Sequence, residues 1–427
     1  MVAVISLIFI SCFLIGVPIA FALGLAGSSY ILFFEGLSAG ILVRRFYHAL
    51  DSFPLLAIPL FIMIGHLVES SGLLTEVVRW LQLFVGRMRG GMAYVNVLLS
   101  MLFAGVSGTA VSDVASIGRV EIKMMKEAGY DLQFSAALTA ASSIVGPIIP
   151  PSVAFIIYAL VAGNISIGGL FLAGATPGFL LGGGLLVISY LITRKGEFIV
   201  LVERPELRDL VIQTVKVTPF LLLPVIIIGG ILSGVFTATE SAAVGVVYAL
   251  LIGFLVYRRL RLHHVYDAMV FSARMSSILG MLIGGGTILS WILTRNQASA
   301  QLANFVASVS TDPVIFMVVV AVFLLLIGMV MDVTATMITL IPLLTPVALS
   351  YGIEPLHFAL VFVLTSMIGM ITPPVGIVLF LVSSIGEISV EALSKSIIPF
   401  VIWEFAVVII CIFFPSIVLW LPQMLGF

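Results

Sequence analysis

The sequence predicts an all-α polytopic membrane protein built from two inverted-topology repeats, and three observations support this fold class. The chain has 427 residues, of which 61% are hydrophobic and 9% charged, whereas soluble domains carry about 25% charged residues. Apolar runs of about 20 residues recur along the whole chain, and each is long enough to cross a bilayer core of roughly 30 Å. The third observation is an internal repeat.

Two proline pairs mark this repeat. Pro150-Pro151 and Pro373-Pro374 lie 223 residues apart. The same offset matches further positions without a gap: Gly105 with Gly328, Gly129 with Gly352, Ser143 with Ser366, Gly146 with Gly369, and residues 163–166 with 386–389. Upstream the offset drifts to 219, which matches residues 46–49 with 265–268. The repeat therefore covers most of the chain.

Each half is predicted to contain five spans and one helical hairpin. The first repeat, 1–192, comprises spans at 1–16 and 18–35, an amphipathic arm, an interrupted span at 54–86, the hairpin 92–126, a Pro-broken span at 132–164 and a span at 168–192. Residues 193–216 form a connecting loop. The second repeat, 217–427, comprises spans at 217–234 and 236–257, the arm 258–274, a span at 275–309, the hairpin 312–351, a Pro-broken span at 356–386 and a span at 396–421.

Basic residues set the predicted topology, because Lys and Arg favour the cytoplasmic side. Arg87 and Arg89 precede the first hairpin, and Lys123 and Lys126 follow its tip. With both ends cytoplasmic, this segment must be re-entrant. Five crossings then invert the second half relative to the first. The connecting loop falls inside and both termini fall outside. The basic pair 44–45 falls outside and is the one violation of this rule; an amphipathic arm lying in the membrane interface would account for it.

Irregular polar backbone at membrane depth is tolerated only inside protein or around a water-filled site. Four such places occur, namely the two hairpin tips and the two Pro-broken spans. Carbonyls freed by proline, together with Ser and Thr hydroxyls, are hard oxygen ligands for an alkali cation, whereas half-helix N-termini favour an anion. We therefore expect two Na⁺ sites flanking one substrate site. The candidate Na⁺ ligands are Ser107, Gly108, Asp113, Ser142, Ser143, Gly146, Gly328, Thr334, Thr336, Thr365, Ser366, Gly369 and Thr372. Packing is the alternative role for any one of these small residues.

Charges inside the membrane are few, and each is a candidate for function. Arg295 lies in a polar break, and its guanidinium fork suits a substrate carboxylate; a structural pairing with Asp332 is the alternative. Asp332 lies at the second hairpin tip. Asp113, at the first tip, either helps to hold a cation or caps the returning helix. The candidate substrate contacts are Arg295, Asp332, Thr109, Val111 and Ser112.

Long runs of the sequence resemble one transporter family. The stretches FAGVSGTAVSDVASIG and ALTAASSIVGPIIPPSVAFIIYALVAGNISIGGLFLAGATPG in the first half, and GMVMDVTATMITLIPLL and GMITPPVGIVLFLV in the second, resemble the large membrane (M) subunit of tripartite ATP-independent periplasmic (TRAP) transporters. The similarity extends over essentially the whole chain.

This resemblance implies the ion-transporter-superfamily fold, with a scaffold part and a transport part that moves like an elevator. It also implies coupling to Na⁺ at two or more sites and no organic cofactor. The implied partners are a separate small four-helix membrane subunit and a soluble periplasmic binding protein. The implied substrates are organic anions such as sialic acids or C4-dicarboxylates, and the implied location is the bacterial inner membrane. A stand-alone carrier, an ion channel and, least favoured, an intramembrane enzyme are the alternatives.

Overall fold

The computed structural model describes residues 2–34, 36, 38–107, 109–194 and 206–427. Every regular element in these ranges is a helix. The helices of the first half are α1 Val2–Leu14, α2 Ile19–Ser29, α3 Ala39–Leu50, α4 Ala57–Ser70, α5 Leu73–Val85, α6 Gly91–Ser107, α7 Ala110–Asp113, α8 Arg119–Glu127, α9 Leu132–Val145, α10 Val153–Ala162 and α11 Ile167–Thr193. Those of the second half are α12 Leu207–Leu232, α13 Ala238–Leu251, α14 Leu262–Arg295, α15 Ala298–Val309, α16 Pro313–Gly328, α17 Val333–Ser350, α18 Pro355–Gly369, α19 Ile377–Gly386, α20 Val390–Phe413 and α21 Pro415–Met424.

Seven helices in the described ranges are long and apolar enough to cross a membrane, or up to nine elements if each bent pair counts as one span. One bent pair is Leu132–Ile148 with Val153–Ala162, at 49°. The other is Ala298–Ser308 with Pro313–Gly328, at 116°. An all-helical, multi-spanning membrane protein is therefore what the sequence forms.

Helix starts recur at the spacing of the sequence repeat. In each half a side chain at the helix N-cap accepts a hydrogen bond from a backbone amide of the first turn. Three pairs of these caps lie 223 residues apart: Thr109 and Asp332, Asp131 and Glu354, and Ser166 and Ser389. Such caps satisfy amide groups that a helix start leaves unbonded. The two halves thus share local structure as well as sequence.

One predicted boundary is wrong. The sequence divides the second half into an arm at 258–274 and a span that begins at 275, but Leu262–Arg295 is one helix of 34 residues. It contains no proline, so nothing ends it at the change from polar to apolar residues. In the first half, Pro54 lies between α3 and α4 and begins a short 3₁₀ turn, Phe53–Leu56. Proline placement therefore makes the two halves differ here.

The helices pack in two groups. Helices α2, α3, α4, α13 and α14 contact one another, and so do the two hairpins, the broken spans and α20. Within the second group, α9 lies at the centre, and every residue from Ser135 to Val145 is buried. The two groups meet where α4 contacts α6 and where α14 contacts α17. This boundary places the hairpins beside helices of the other group.

Candidate functional site

The second hairpin and the second broken span cross at two glycines. A Cβ atom added to Gly328 would lie 2.6 Å from the carbonyl oxygen of Ser366 and 3.0 Å from the Cα of Gly369. Only glycine permits so close an approach of two backbones. The amide of Gly376 also donates a 3.0 Å hydrogen bond to the Met329 carbonyl. The tip and the unwound segment are therefore joined through backbone, and the two Na⁺-site glycines predicted for the second half lie at the crossing.

Asp332 begins the returning helix of this hairpin. Its carboxylate accepts a 2.8 Å hydrogen bond from the Thr334 amide, and its carbonyl accepts one of 3.0 Å from the Thr336 hydroxyl. The side chain is only partly exposed, and Thr334 and Thr336 are buried. Asp332 therefore caps α17, a structural contact that exists whether or not the same carboxylate meets a ligand.

The second broken span carries three buried hydroxyls. Ser366 donates to the Phe362 carbonyl at 2.8 Å and Thr372 to the Ile368 carbonyl at 2.7 Å. A hydroxyl that donates in this way keeps lone pairs for a cation. The Oγ1 of Thr365 is buried and finds no hydrogen-bond partner among the described residues. A buried hydroxyl without a partner is costly, which makes Thr365 the strongest cation-ligand candidate of this half.

The first hairpin tip has a different cap. Thr109 precedes α7, and its hydroxyl accepts a 3.2 Å hydrogen bond from the Ser112 amide. Thr109 rather than Asp113 thus caps the returning helix, so the capping alternative for Asp113 is wrong; the Asp113 side chain is buried. Val111 and Ser112 are partly buried. Gly108 and the Ser107 side chain lie outside the described residues.

A small cavity of about 40 Å³ borders this tip. Ser112 and Ser116 of the hairpin line it together with His66 and Glu69 of α4. The first tip therefore faces polar side chains of the other helix group, and its predicted substrate contact Ser112 lies at this boundary.

Ser142 and Ser143 lie on α9 and are buried. Ser143 donates to the Ala140 carbonyl at 2.8 Å. Ser142 contacts Ser100 at 3.0 Å and donates to Asn96 at 2.9 Å, and the amide of Asn96 donates to Thr139 at 2.7 Å. The first broken span is therefore tied to hairpin arm α6 through side chains.

This network continues to a buried carboxylate, because Ser100 also donates to Glu121 of α8 at 3.4 Å. Four members of this network were not predicted from the sequence, namely Asn96, Ser100, Glu121 and Thr139. The sequence signal for this network was a pair of polar residues, 96 and 100, that lie one helical turn apart on an otherwise apolar hairpin arm. In the structure this pair faces residues 139 and 142. Gly146 comes directly after the end of α9 and begins the 3₁₀ turn at the break.

Arg295 ends α14, a helix that contacts α17 of the second hairpin. Its guanidinium carbon lies 5.5 Å from the centre of the Trp291 ring. Ser299, four residues on, donates to the carbonyl of Pro342 at 3.2 Å. Pro342 is ten residues along α17 from Asp332, and ten helical residues rise about 15 Å. The turn that follows Arg295 is therefore joined to α17, about 15 Å of helical rise from Asp332.

Elements of each half contact elements of the other half near the hairpin tips. Helix α7 and the π-helical turn Val114–Gly118 contact α19 of the second broken span, while α10 of the first broken span contacts α17 of the second hairpin. Within the described ranges, the hairpins and broken spans that carry the predicted Na⁺ and substrate residues therefore contact one another.

Comparison with known proteins shows the family to which this chain belongs. The family described as "Tripartite ATP-independent periplasmic transporter, DctM component" matches residues 6–417. The sialic acid TRAP transporter large permease protein SiaM of Vibrio cholerae is 36% identical over 409 residues, which are 96% of this chain and 95% of that protein. This chain is a member of the TRAP DctM family. The resemblance found in the sequence is therefore confirmed.

A second TRAP large permease, the C4-dicarboxylate protein DctM of Pseudomonas aeruginosa, is 35% identical over 405 residues, or 95% of this chain and 94% of that protein. Both relatives are named as permeases rather than enzymes. The crystal structure of the YdaH transporter of Alcanivorax borkumensis matches with a TM-score of 0.64, covering 96% of this chain and 98% of that one. At 15% identity, this likeness shows a shared fold only.

Proposed function

We propose that this TRAP large permease carries out Na⁺-coupled secondary uptake of a small organic anion of the sialic acid or C4-dicarboxylate class. Full-length similarity to permeases named for those two substrates supports the anion class. The observation that carries Na⁺ coupling is the joined tip and broken span of the second half. There the hydroxyl of Thr365 is buried without a partner among the described residues, beside the Gly328–Gly369 crossing. Hydroxyl and carbonyl oxygens suit a hard cation.

Two cation sites would flank the substrate. The second would use Gly328, Thr334, Thr336, Thr365, Ser366, Gly369 and Thr372. The first would use Ser107, Gly108, Asp113, Ser142, Ser143 and Gly146. Thr109, Val111, Ser112 and Asp332 at the two tips would contact the anion, with Arg295 as a further contact. In the first half the hydroxyl of Ser142 is engaged by Asn96 and Ser100, so a cation there would draw mainly on the others.

The architecture we propose is an inverted repeat with an elevator movement. Residues 1–192 and 217–427 would form the two repeats, joined by a cytoplasmic loop at 193–216, with both termini periplasmic. Each repeat would have five spans and one re-entrant hairpin. The three pairs of helix caps 223 residues apart support the repeat. The two helix groups support a scaffold and a transport part, because an elevator needs separate bodies that slide.

The partners we propose are a small four-helix membrane subunit on a separate chain and a periplasmic binding protein, acting in the inner membrane. Family membership supports both partners. A stand-alone Na⁺-coupled carrier of the same superfamily is the alternative. It would transport free substrate without the binding protein.

The decisive experiment reconstitutes this chain with its small subunit in proteoliposomes. Labelled N-acetylneuraminate and labelled succinate are supplied with and without the binding protein, and with an inward Na⁺ or K⁺ gradient. Uptake that requires both Na⁺ and the binding protein is the expected result. Uptake without the binding protein would favour the stand-alone carrier, and uptake that K⁺ supports equally would overturn Na⁺ coupling.

A further inference from the structure

The side chain of Glu404 is completely buried, and it lies on α20, a helix long and apolar enough to cross the membrane. Both of its carboxyl oxygens are buried as well, and neither has a hydrogen-bond partner among the described residues. Nearly all buried polar atoms in proteins are hydrogen-bonded, so each exception needs a physical reason. An ionisable group at membrane depth is costly and marks a candidate functional site. None of the functions proposed above uses Glu404.

The helices packed around α20 carry no permanent charge. Those that pack most extensively against it are α9, α11, α16, α18, α19 and α21. None of these six helices contains a Lys, Arg, Asp or Glu. On α20 itself, Lys395 lies nine residues before Glu404, a helical rise of about 14 Å. Its ammonium group is exposed and pairs with Glu391 at 2.9 Å.

The remaining titratable side chains on these helices lie at other levels or at the surface. His357 of α18 donates from Nε2 to the Cys411 carbonyl at 2.8 Å. Cys411 follows Glu404 by seven residues, so this bond lies about 10 Å along α20 from Glu404, and the Cys411 thiol is buried. Tyr190 of α11 is exposed. These helices therefore supply no counter-charge to Glu404, and a buried carboxyl group without one takes up a proton and becomes neutral.

Glu404 lies on the face of α20 that packs against both broken spans. One turn earlier, the centre of the Phe400 ring lies 6.2 Å from that of Phe134 on α9. Two turns later, the Cys411 carbonyl accepts the hydrogen bond from His357 of α18. Phe400, Glu404 and Cys411 are all buried. Because α9 and α18 are the first helices of the two broken spans, an uncompensated charge on Glu404 would act on the packing of both.

We propose that Glu404 is a proton-binding site of the second helix group, and that its proton controls transport. With the proton bound, the neutral acid lets α20 pack against both broken spans. At alkaline pH the O–H bond of the acid breaks, and the proton passes to water that enters during local opening. The carboxylate that remains is buried without a counter-charge, which loosens the packing of α20 and slows uptake. The ligand of this site is H⁺, so the proposal adds pH control to whichever cation drives uptake.

Glu404→Gln tests the proton site, because it replaces the acid by a neutral amide of nearly the same shape. The first measurement is the infrared C=O stretch of the purified protein at about pH 7.5, where an ordinary glutamate is ionised. We expect the wild-type chain to show a neutral carboxylic acid band that the variant lacks. The second measurement is thermal unfolding from about pH 6 to about pH 9. The unfolded chain releases the proton that the folded chain keeps, so the unfolding equilibrium constant of the wild type, relative to the variant, should rise about tenfold for each pH unit.

The control of transport is tested in the same proteoliposomes as the proposed function. Initial uptake is measured at about pH 7 and about pH 9 with an unchanged ion gradient. Wild-type uptake should fall severalfold at the higher pH, whereas Glu404→Gln should keep most of its uptake. Glu391→Gln is the matched control, because it removes an exposed carboxyl group from the start of the same helix, and it should follow the wild type.

An infrared spectrum that Glu404→Gln leaves unchanged would overturn the proton site. Equal pH profiles of the wild type and Glu404→Gln would overturn its control of transport. If Glu404→Gln does not insert into the membrane, Glu404→Leu takes its place, and a chain that accepts neither neutral side chain would show that the carboxylate is required and overturn the proposal. Uptake that does not need Na⁺, with the pH difference intact, would instead refute the proposed function.

Discussion

The crossing of Gly328 and Gly369 gives the sharpest test of how the second half-site is built. In Gly328→Ala the new Cβ would lie 2.6 Å from the Ser366 carbonyl oxygen. The backbones must part by about 0.4 Å to restore even 3.0 Å, and no side chain can rotate to relieve the contact. Overpacking of this kind costs about 1–3 kcal/mol. The separation also stretches the hydrogen bond from the Gly376 amide to the Met329 carbonyl, now 3.0 Å.

If Na⁺ binds only when the tip and broken span are joined, this cost appears in the Na⁺ affinity. A cost of 1–3 kcal/mol corresponds to about a 5- to 150-fold rise in the Na⁺ concentration for half-maximal uptake. The assay is initial uptake in proteoliposomes across a Na⁺ series, with thermal unfolding in detergent measured in parallel. Gly229→Ala is the control, because its Cβ would meet no atom within 4 Å.

Gly369→Ala should act similarly, and the double variant should cost less than the sum of the two, because both glycines relieve the same contact. Unchanged Na⁺ dependence in Gly328→Ala, with normal expression, would refute the reasoning. It would mean that the crossing is packing alone and that the cation lies elsewhere. An equal loss of thermal stability in the control Gly229→Ala would also refute it, because the loss would then not come from the Gly328–Gly369 contact.

Three further predictions concern single contacts. Thr365→Val, which keeps the shape but removes the unpartnered hydroxyl, should raise the Na⁺ requirement without lowering the melting temperature, whereas Thr365→Ser should preserve uptake; a Val variant with normal Na⁺ dependence would exclude this residue as a ligand. Asn96→Leu removes the buried hydrogen bonds to Thr139 and Ser142, at 2.7 and 2.9 Å, so unfolding should become easier by about 1–3 kcal/mol, and an unchanged melting temperature would contradict this. Arg259→Gln removes hydrogen bonds to Gly72 and Glu76 at 3.0 and 3.2 Å. Because the arginine is half exposed, the free energy of unfolding should fall by at most about 1 kcal/mol. A larger fall would indicate that the contact acts as a buried one.

The proline pairs and glycines carried most of what the sequence could predict about the fold. Helix breaks at Pro150-Pro151 and Pro373-Pro374 follow from the missing amide of proline, and the structure ends α9 and α18 shortly before them. The caps at Thr109 and Asp332 could also have been predicted from the sequence, because the 223-residue offset pairs them and both residue types favour helix starts. Matching the two tips only through Gly105 and Gly328 left the correspondence between the caps Thr109 and Asp332 unrecognised.

Other features depend on which faces of the helices meet, and local patterns do not contain that information. The Asn96 network joins α6, α8 and α9, and its members lie up to 46 residues apart. The placement of Arg295 is a second case. The sequence shows a polar break after this residue, but the contact of the following Ser299 with the Pro342 carbonyl of α17 depends on how the helices pack. Depth along a neighbouring helix is a tertiary property that charge and spacing do not fix.

A double-mutant cycle can test whether Asp332 and Arg295 hold the same substrate carboxylate. Asp332→Asn removes the charge but retains a capping side chain, and Arg295→Lys retains the charge but loses the planar fork. Two residues that hold one carboxylate should show effects on kcat/KM for uptake that depart from simple multiplication by clearly more than a factor of about two. Effects that multiply within that factor would show that Arg295 and Asp332 act independently. If the two effects are independent, Asp332 acts at the tip without Arg295, and Asp332→Asn alone measures the contribution of its charge to uptake.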